Sequence, residues 1–337
     1  MTDSDSTTSS IRHEEIDHYA DDQRNWAALI PAIKRAKYLV QSTSDLSIHG
    51  DAPKCFLLVK EHQPGRPMSS PRQWPRYIAK VGSKKYPIES ITEQLITRLG
   101  QCLDFPVADS KLRMVGRQVR FLSRYFLRHD EALSHGIELF RDDFGTEIVD
   151  EIAARKSEQQ FYTFPIVIAS MRRAFPDAAD EVVAGFVEML LFDSLVGNND
   201  RHPANWGVVT STRTKVRPRF SPIFDTARGL FWNSDEQFIR TRLADPEALA
   251  AYVANCRPQV GWDGQNNLNH FDLLRRISET YPPFRNMLEN KANAIDLDRC
   301  GTLLRDEFSA LMTEERLRLF LECLKSRFSQ VRQAVGS

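Results

Sequence analysis

The sequence predicts an α+β protein with two lobes, a small β-rich N-terminal lobe and a larger, mostly helical C-terminal lobe. In the first part of the chain, short runs of β-branched and aromatic residues separated by turn residues indicate strands. After about residue 127, apolar residues recur at helical spacing instead. We expect a tail and helix in residues 1–43, the N-terminal lobe in 44–127 and the helical C-terminal lobe in 128–337.

The elements of the N-terminal part follow from its apolar pattern. Residues 14–42 alternate charged and apolar side chains in a way that suits one or two amphipathic helices. Two strands, a helix and a hairpin that turns at Gly116-Arg117 should follow. Their predicted bounds are Phe56–Val59 and Arg76–Val81 for the strands, Glu89–Leu103 for the helix, and Lys111–Val115 with Gln118–Tyr125 for the hairpin.

The C-terminal part is predicted to consist mainly of amphipathic helices. The strongest is Ala178–Val196, in which seven large apolar residues share one face. Two short strands should flank a basic turn that runs from Arg213 to Arg219. The other predicted bounds are Glu138–Ala154, Tyr162–Phe175 and Glu314–Val335 for helices, and Trp206–Val209 and Pro222–Phe224 for the two strands.

Composition limits the classes of partner. The 45 basic and 45 acidic residues cancel, so we expect no dominant electrostatic footprint for nucleic acid or a membrane surface, with a local basic patch as the alternative. We expect no nucleic-acid binding by the chain itself. Five scattered cysteines without a CxxC pair indicate reduced thiols in a cytoplasmic protein. No apolar run approaches ~18 residues, so no membrane span is expected. The Ser-, Thr- and Asp-rich start does not resemble a signal peptide.

Two neighbouring segments carry the most specific signal, Leu195–Trp206 and Phe220–Gly229. Asp200 and Asn205 lie five positions apart, and Asp225 follows after a short polar connection. Phosphoryl transfer from Mg-ATP needs a carboxylate that accepts the acceptor's proton, an amide oxygen that holds one metal ion, and a second carboxylate on the metals. Protein kinases have the same five-residue offset. We therefore predict Asp200 as catalytic base and Asn205 and Asp225 as Mg²⁺ ligands.

Simpler readings account for part of this pattern. A helix cap and turn explain Gly197 to Asn199, but they do not explain the whole spaced set. His202 is expected to pack and hydrogen-bond within the loop, with a direct catalytic role as the alternative. The segment Asp143-Phe-Gly145 spells a metal motif of kinases, but it precedes the catalytic segment. We interpret it as a helix boundary.

Lys80 lies on a predicted strand in the order Tyr-Ile-Ala-Lys. This order parallels the Val-Ala-Ile-Lys strand of kinases, whose lysine pairs with the ATP phosphates. A single lysine on a strand is usually a solvated edge residue. Glu93, 13 residues later on the predicted helix, could form an ion pair that orders this lysine, and Glu89 is its competitor. No GxGxxG loop is present, so the turn from Ser47 to Lys54 is the candidate phosphate loop, with a plain β-turn as the alternative.

From about residue 44 to 235 the chain resembles HipA-type kinases, the bacterial toxin kinases of the protein-kinase-like superfamily. The resemblance is strongest in the catalytic and metal segments. The matching segments are Ser47–Lys54 for the nucleotide loop, Tyr77–Lys80 for the lysine strand, Glu93–Val107 for the helix and the segment behind it, Phe121–Phe126 for the hinge strand, Gly197–Asn205 for the catalytic loop and Ser221–Asp225 for the metal loop.

The resemblance implies a serine/threonine protein kinase that uses ATP and Mg²⁺ on a protein substrate. It also implies a toxin role with an antitoxin as partner, and inhibition by autophosphorylation of Ser47, where a phosphate would add charge beside those of ATP. Lys80 joins Asp200 and Asn205 as a catalytic residue. The nucleotide-binding residues that it implies are Ser47, His49, Gly50, Lys54, Lys80, Glu93, Ser123 and Tyr125.

Three alternatives stay open from the sequence. The Asp-Arg-His-x-x-Asn order also resembles phosphatidylinositol kinases, so the acceptor could be a lipid or a small molecule, although no basic amphipathic membrane helix is predicted. A catalytically silent binding module on a kinase fold is the second alternative. Transfer of AMP rather than phosphate is the third.

Overall fold

An antiparallel five-stranded sheet and one long helix form the N-terminal lobe. The computed structural model describes residues 26–41, 54–62, 65, 68–82, 86–154, 161–211, 213, 216–265 and 267–336. In chain order the elements of this lobe are α1 Trp26–Leu29, β1 Tyr38–Gln41, β2 Lys54–Val59, β3 Arg76–Lys80, α2 Glu89–Cys102, β4 Ser110–Val115 and β5 Gln118–Arg124. The strand order is β1-β2-β3-β5-β4.

The register of this sheet sets the positions of the candidate nucleotide residues. Lys54 on β2 lies opposite Lys80 on β3, and Lys80 lies opposite Phe121 on β5. One face of the sheet buries a small apolar cluster that includes Leu57 and Leu122, while the other face packs against α2. Because alternate residues of a strand point to opposite faces, this packing fixes which side chains reach the cleft between the lobes.

The C-terminal lobe is mainly helical and carries a second, three-stranded antiparallel sheet in the order β6-β7-β8. Its first elements are β6 Glu131–His135, α3 Gly136–Phe144, α4 Thr146–Ala154, α5 Phe164–Ala174, α6 Ala179–Val196, β7 Gly207–Ser211 and β8 Arg219–Phe220. The chain continues as α7 Glu236–Ala244, α8 Pro246–Asn255, α9 His270–Thr280, α10 Pro282–Asn293, α11 Leu297–Phe308 and α12 Glu314–Val335.

Helix α6 lies at the centre of this lobe. From Met189 to Val196 every side chain is buried, which is typical of a helix surrounded by other elements rather than one at the surface. It contacts α5, α9, α10, α12 and β8. The predicted catalytic segment begins at the buried C-terminal end of this helix.

Most of the predicted elements are confirmed, and so is the α+β class with a β-rich lobe before a helical one. The strands around Phe56 and Ile78, the hairpin at Gly116-Arg117 and helices α2, α6 and α12 lie within two residues of their predicted bounds. The predicted lobe boundaries stay predictions, although β1 joins the sheet from within residues 1–43. Among the described residues, no helix is long and apolar enough to span a membrane.

The prediction of amphipathic helices across residues 14–42 is wrong for the part that the structure describes. There α1 has four residues, and Tyr38–Gln41 is a strand paired with β2. Pro31 stops the helix, and the chain then extends because Ile33 donates its amide to the carbonyl of Met114 at 2.9 Å. Tertiary pairing thus overrides the helical pattern of this segment.

Two C-terminal predictions also need correction. The single helix Glu138–Ala154 is two helices, because Gly145 adopts a φ of 84°, which an α-helix cannot accommodate. The predicted strand Pro222–Phe224 lies earlier, at Arg219–Phe220. Pro222 has no amide hydrogen for a ladder, and the amide of Ile223 donates instead to the carbonyl of Pro106 at 2.7 Å.

Candidate active site

The catalytic segment is a loop between α6 and β7. Helix α6 ends at Gly197, whose φ of 68° is left-handed, a conformation that favours glycine. Two side chains from the C-terminal helical region hold the turn: Cys256 donates to the carbonyl of Gly197 at 3.2 Å, and Gln259 donates to the carbonyl of Asn199 at 3.0 Å. The loop therefore starts from a fixed direction at the centre of the lobe.

Side-chain amides brace the loop internally. Asn198 donates to Asp193 of α6 at 2.9 Å and accepts the amide of Asp200 at 3.2 Å. Asn205 donates its side-chain nitrogen to the carbonyl of Asp200 at 2.9 Å. Because the Asn205 nitrogen donates this bond, its amide oxygen is left as a possible metal ligand. The same bond fixes the distance between Asp200 and Asn205, the two ends of the predicted motif.

Arg201 connects the catalytic loop to the metal loop. Its guanidinium forms a bidentate pair with Asp193, at 2.8 and 2.9 Å, and both side chains are 1% exposed. The remaining nitrogen donates to the carbonyls of Asn205 and Phe224, each at 2.7 Å. One buried arginine thereby holds the backbone of the predicted metal ligand Asn205 and of Phe224, the residue before the predicted ligand Asp225.

Lys80, Glu93 and Asp225 form a compact charged cluster in the cleft between the lobes. The Lys80 ammonium lies 2.8 Å from a Glu93 carboxylate oxygen and 2.7 Å from an Asp225 oxygen. Lys54 approaches the other Asp225 oxygen at 3.4 Å. The strand β3, the helix α2 and the metal loop meet at this point. Of the two candidate partners of Lys80, the structure brings Glu93 to it, while Glu89 lies 3.9 Å from Arg228.

The charges of this cluster are strongly coupled. Burial alone would raise the pKa of Asp225, but the ammonium groups of Lys80 and Lys54 outweigh it and hold that pKa well below its usual value. Burial disfavours the charged form of Lys80, yet Asp225 and Glu93 together raise its pKa. Asp225 therefore stays ionised and Lys80 stays protonated at neutral pH, as a metal ligand and a phosphate contact require.

Asp200 has a different environment. Its side chain is 41% exposed, and its nearest ionic neighbour is Arg228, at 3.9 Å. Partial burial raises its pKa, and the charge of Asp225 adds to this effect, while His202 and Arg228 oppose it. A carboxylate with a raised pKa is a better proton acceptor than an ordinary aspartate, which suits a general base.

A cavity of about 280 Å³ lies between the lobes beside this cluster. Lys54, Lys80, Asn205 and Asp225 line one part of it. The predicted hinge residues line another part, where Ile78, Ser123, Tyr125, Phe126, Leu127 and Leu133 surround the space. Away from the Lys80 cluster the wall is mixed, because Arg124, Glu131 and His135 lie among its apolar side chains. This lining fits a nucleotide with its triphosphate towards Lys54 and Lys80.

The hinge strand, in which the resemblance implies Ser123 and Tyr125 as nucleotide-binding residues, ends in backbone amides that could receive an adenine base. The amide of Tyr125 already donates to the carbonyl of Arg76 at 2.9 Å. Within the described residues, the amides of Phe126 and Leu127 donate no hydrogen bond. Adenine is therefore better matched to these two amides than to that of Tyr125, while Ser123 and Tyr125 contribute to the cavity wall.

The remaining sequence predictions divide into described and undescribed residues. Ser47, His49 and Gly50 lie outside the described residues, so their role stays a prediction. His202 accepts the amide of Ala204 at 3.3 Å, as expected of a residue that orders the loop. Asp143 is 2.9 Å from Arg173 near the C-terminal end of α3, which confirms that the Asp-Phe-Gly segment is a helix boundary.

The sequence motifs do not identify three residues that the structure places in or beside the site. Asp193 is an ionisable residue within a buried apolar stretch of α6, and that mismatch is a signal that was available. Arg201 and Arg228 offered no such signal, because an arginine in a polar loop is ordinary. Only the fold reveals that Arg201 is buried and that Arg228 stacks on Trp232, 3.8 Å from the ring centre.

The donor set fits magnesium. Asn205 and Asp225 provide one amide oxygen and one carboxylate that is held ionised, and both line the same cavity. Mg²⁺ is commonly held by one or two carboxylates together with substrate phosphates and water, not by a dedicated protein cage. Within the described residues no cluster of three or more His, Cys, Asp or Glu side chains could hold a metal ion. This donor set therefore suits a metal that binds together with a nucleotide.

Fold and site together define a two-lobed, protein-kinase-like class of protein. The family model of the HipA-like C-terminal domain matches residues 46–279, which is more than half of the chain. The chain therefore belongs to the HipA-like C-terminal domain family. This confirms the family resemblance that the motifs indicated.

Similarity to individual proteins agrees with this assignment. The serine/threonine-protein kinase CtkA of Helicobacter pylori is 30% identical over 94 residues, which span 28% of this chain and 29% of that relative. The crystal structure of a Helicobacter pylori proinflammatory kinase CtkA superposes with a TM-score of 0.69 at 17% identity, covering 90% of this chain and 97% of that chain. This match shows the fold.

A second solved structure is more distant. It is a complex of HipA, HipB and operator DNA from the Shewanella oneidensis MR-1 toxin–antitoxin system. The TM-score is 0.48 at 14% identity, with 90% of this chain and 74% of that chain covered.

Proposed function

We propose that this chain is a serine/threonine protein kinase that transfers the γ-phosphoryl group of Mg-ATP to a protein substrate. Asp200 orients the acceptor hydroxyl and accepts its proton. Lys80, held by Glu93, contacts the phosphates from the N-terminal lobe, with Lys54 adding charge beside it. Asn205 and Asp225 hold Mg²⁺, which when bound neutralises charge on the phosphates.

The observation that carries this proposal is the position of the Lys80 ammonium, 2.8 Å from Glu93 and 2.7 Å from Asp225. The carboxylate of Asp225 belongs to the predicted metal loop. Lys80, Asp225 and Asn205 line the same cavity of about 280 Å³. Family membership and the likeness to a protein named as a serine/threonine kinase support the same reading.

Mechanistically, the arrangement relies on position and charge. The bond from Asn205 to the carbonyl of Asp200 and the contacts of Arg201 fix the catalytic loop before substrate arrives. Such preorganised groups stabilise developing charge without rearrangement during the reaction. Because the pKa of Asp200 is raised, its carboxylate binds a proton more strongly, which favours acceptance of the hydroxyl proton.

The experiment is incubation of the purified protein with Mg²⁺ and γ-labelled ATP, with Asp200→Ala and Asp225→Ala as comparisons. Phosphorylated sites are then mapped by mass spectrometry. Label on serine or threonine in the wild type alone supports the proposal. α-labelled ATP is used in parallel, because incorporation of that label indicates AMP transfer. ATP binding without incorporation of either label supports a silent binding module.

Two finer parts of the proposal rest on the family resemblance. The first is self-inhibition by phosphorylation of Ser47, tested by mapping phosphate to that residue and by assaying Ser47→Asp. Undiminished activity of that variant together with an unphosphorylated Ser47 would contradict it. The second is a toxin role with an antitoxin partner, tested by expression of the chain and of Asp200→Ala in a bacterial host. Growth arrest by the active chain alone supports that role.

A further inference from the structure

A second cavity, of about 360 Å³, opens on the other side of the catalytic loop. Asp200, His202, Pro203 and Ala204 form one wall. Ala204 also lines the nucleotide cavity, so the two cavities lie back to back across this loop. A group bound in the second cavity would be next to Asp200, on the side away from the hinge.

The opposite wall of this cavity is apolar. It comes from helices α3 and α4 and from the segment that precedes α5. The side chains that form it are Ile137, Phe140, Phe144, Val149, Phe161 and Tyr162. Phe144 is 43% exposed and Phe161 is 47% exposed. Large aromatic side chains left in solvent at the rim of a concave surface are typical of a binding site.

The charges around this cavity select the kind of group that fits. Among the described lining residues, Asp200 is the one acidic side chain, and there is no lysine or arginine. From the described lining residues, a phosphorylated lipid headgroup would meet a carboxylate and no lysine or arginine. A neutral, apolar side chain would meet aromatic and aliphatic groups, and its burial would release ordered water from both surfaces.

We propose that this cavity binds a large apolar side chain of the protein substrate, close in sequence to the acceptor serine or threonine. The inference rests on the proposed function, because Asp200 must face the acceptor hydroxyl. An extended chain advances roughly 3.3–3.6 Å per residue, and the cavity adjoins Asp200, so the apolar residue lies within about three positions of the acceptor. The enzyme thereby selects acceptors with Leu, Ile, Met or Phe nearby.

The chain's own adjoining segment is a poor occupant. Residues 155–160 follow α4 and have the sequence Arg-Lys-Ser-Glu-Gln-Gln, without a large apolar side chain. An apolar cavity of this size gains little from such residues. A substrate segment that supplies an apolar side chain matches the lining better.

The test uses synthetic peptides with a central serine, in which each flanking position in turn carries Leu, Phe, Lys or Asp. Phosphorylation is measured as kcat/KM, and binding is measured separately by fluorescence anisotropy of labelled peptides in the presence of a non-hydrolysable ATP analogue. ATP affinity is recorded for every protein. The variants are Phe144→Asp and Phe161→Asp, and the matched control is Phe238→Asp on α7, whose phenylalanine is 39% exposed.

We expect one flanking position to favour Leu or Phe over Lys or Asp by roughly tenfold to a hundredfold in kcat/KM, the range that burial of one large apolar side chain provides. Phe144→Asp and Phe161→Asp should abolish this preference, while Phe238→Asp should retain it. The same pattern in the binding assay alone, without phosphate transfer, would support the cavity and contradict the protein kinase function.

Four other results would overturn the inference. Phosphorylation with no preference at any flanking position would leave the kinase proposal standing and refute the docking site. Displacement of the peptides by phosphoinositide-containing vesicles, or a dimer that Phe144→Asp dissociates, would assign the cavity to a lipid or to a second copy of the chain. Peptides that neither bind nor become phosphorylated would likewise refute it.

Discussion

Arg201 donates two parallel hydrogen bonds to the carboxylate of Asp193, from Nε at 2.8 Å and from Nη2 at 2.9 Å, and neither side chain contacts solvent appreciably. The pair joins the catalytic loop to the central helix α6. Since the same guanidinium also holds the carbonyls of Asn205 and Phe224, both predicted metal ligands depend on it. The loop is thus positioned from inside the C-terminal lobe.

Arg201→Met is expected to destabilise the protein by about 3–5 kcal/mol, because it leaves Asp193 buried without its partner. Urea unfolding followed by circular dichroism measures this. The matched control is Arg217→Met, since Arg217 forms an exposed pair with Glu181 at 2.7 Å and should contribute at most about 1 kcal/mol. Equal losses of unfolding free energy in the two variants would contradict the stabilising role of the buried Arg201–Asp193 pair.

A double variant separates the pair from the packing. Arg201→Met combined with Asp193→Leu removes both charges, so the unfolding free energy should recover part of what the single variant loses. Kinase activity should not recover with it, because the carbonyls of Asn205 and Phe224 still lack their donor. Recovery of both quantities would show that Arg201 serves the fold alone.

Glu93→Gln is expected to lower kcat/KM for ATP by roughly 10²-fold, because Lys80 loses one of the two carboxylates that fix its position. Glu89→Gln is the matched control, since Glu89 starts the same helix but faces Arg228 instead, and we expect less than about a tenfold effect. Steady-state kinetics at varied ATP concentration distinguishes them. A larger effect at Glu89 would transfer the role of lysine partner to that residue.

Much of this site could be predicted from the sequence because its residues occur at fixed spacings within regular elements. Lys80 and Glu93 occupy a strand and the helix that follows, and the fold family pairs these elements in one way. Asp200 and Asn205 belong to the loop between α6 and β7, and Asp225 follows β8, so regular elements fix where these segments begin. Local spacing therefore carries most of the information about these five positions.

Other features of the site and the fold depend on tertiary packing, which no local sequence pattern encodes. Asp193 stands out as an ionisable residue in the buried half of α6, but no local pattern identifies Arg201 of the following loop as its partner. The break at Gly145 turns α4 against α3 and so creates the apolar wall of the second cavity. Strand β1 forms because the edge of β2 is available to it, although its sequence also suits a helix.

Asp225→Asn is expected to lower activity by at least about 10²-fold, since the variant loses the ionised ligand for Mg²⁺. It should also change the dependence of stability on pH. The pKa of Asp225 is depressed in the folded state, so the wild type gains stability that is fully present above the unfolded pKa of about 3.9 and is lost as pH falls below it. The gap between wild type and variant in unfolding free energy should therefore narrow below about pH 4.

The control for this pH dependence is Asp235→Asn, because Asp235 caps α7 at the protein surface and lies away from Lys54 and Lys80. Acid unfolding of the three proteins, monitored by tryptophan fluorescence, gives the comparison. A gap for Asp225→Asn that stays constant from pH 7 to pH 2 would contradict the coupling of Asp225 to the two lysines.

Asp200 should respond to pH with the opposite sign. Its pKa is raised in the folded state, mainly by partial burial, so its folded form binds a proton more tightly than the unfolded chain does. The wild type therefore loses stability as pH rises from about 3.9 through the folded pKa. Asp200→Asn should be at least as stable as the wild type at pH 7, while its activity is lost.

The same raised pKa should be visible in the pH dependence of kcat/KM. Because a base must be ionised to accept a proton, activity should fall on the acid side with a midpoint above about 3.9. The Arg228 guanidinium lies 3.9 Å from Asp200 and favours the ionised carboxylate. Arg228→Gln should therefore move this acid limb, the acidic side of the pH profile, to higher pH. Arg275→Gln, an exposed arginine of α9 paired with Asp272, is the control and should leave the limb in place. An acid limb that ignores Arg228→Gln but disappears in His202→Gln would assign the proton transfer to His202 rather than to Asp200.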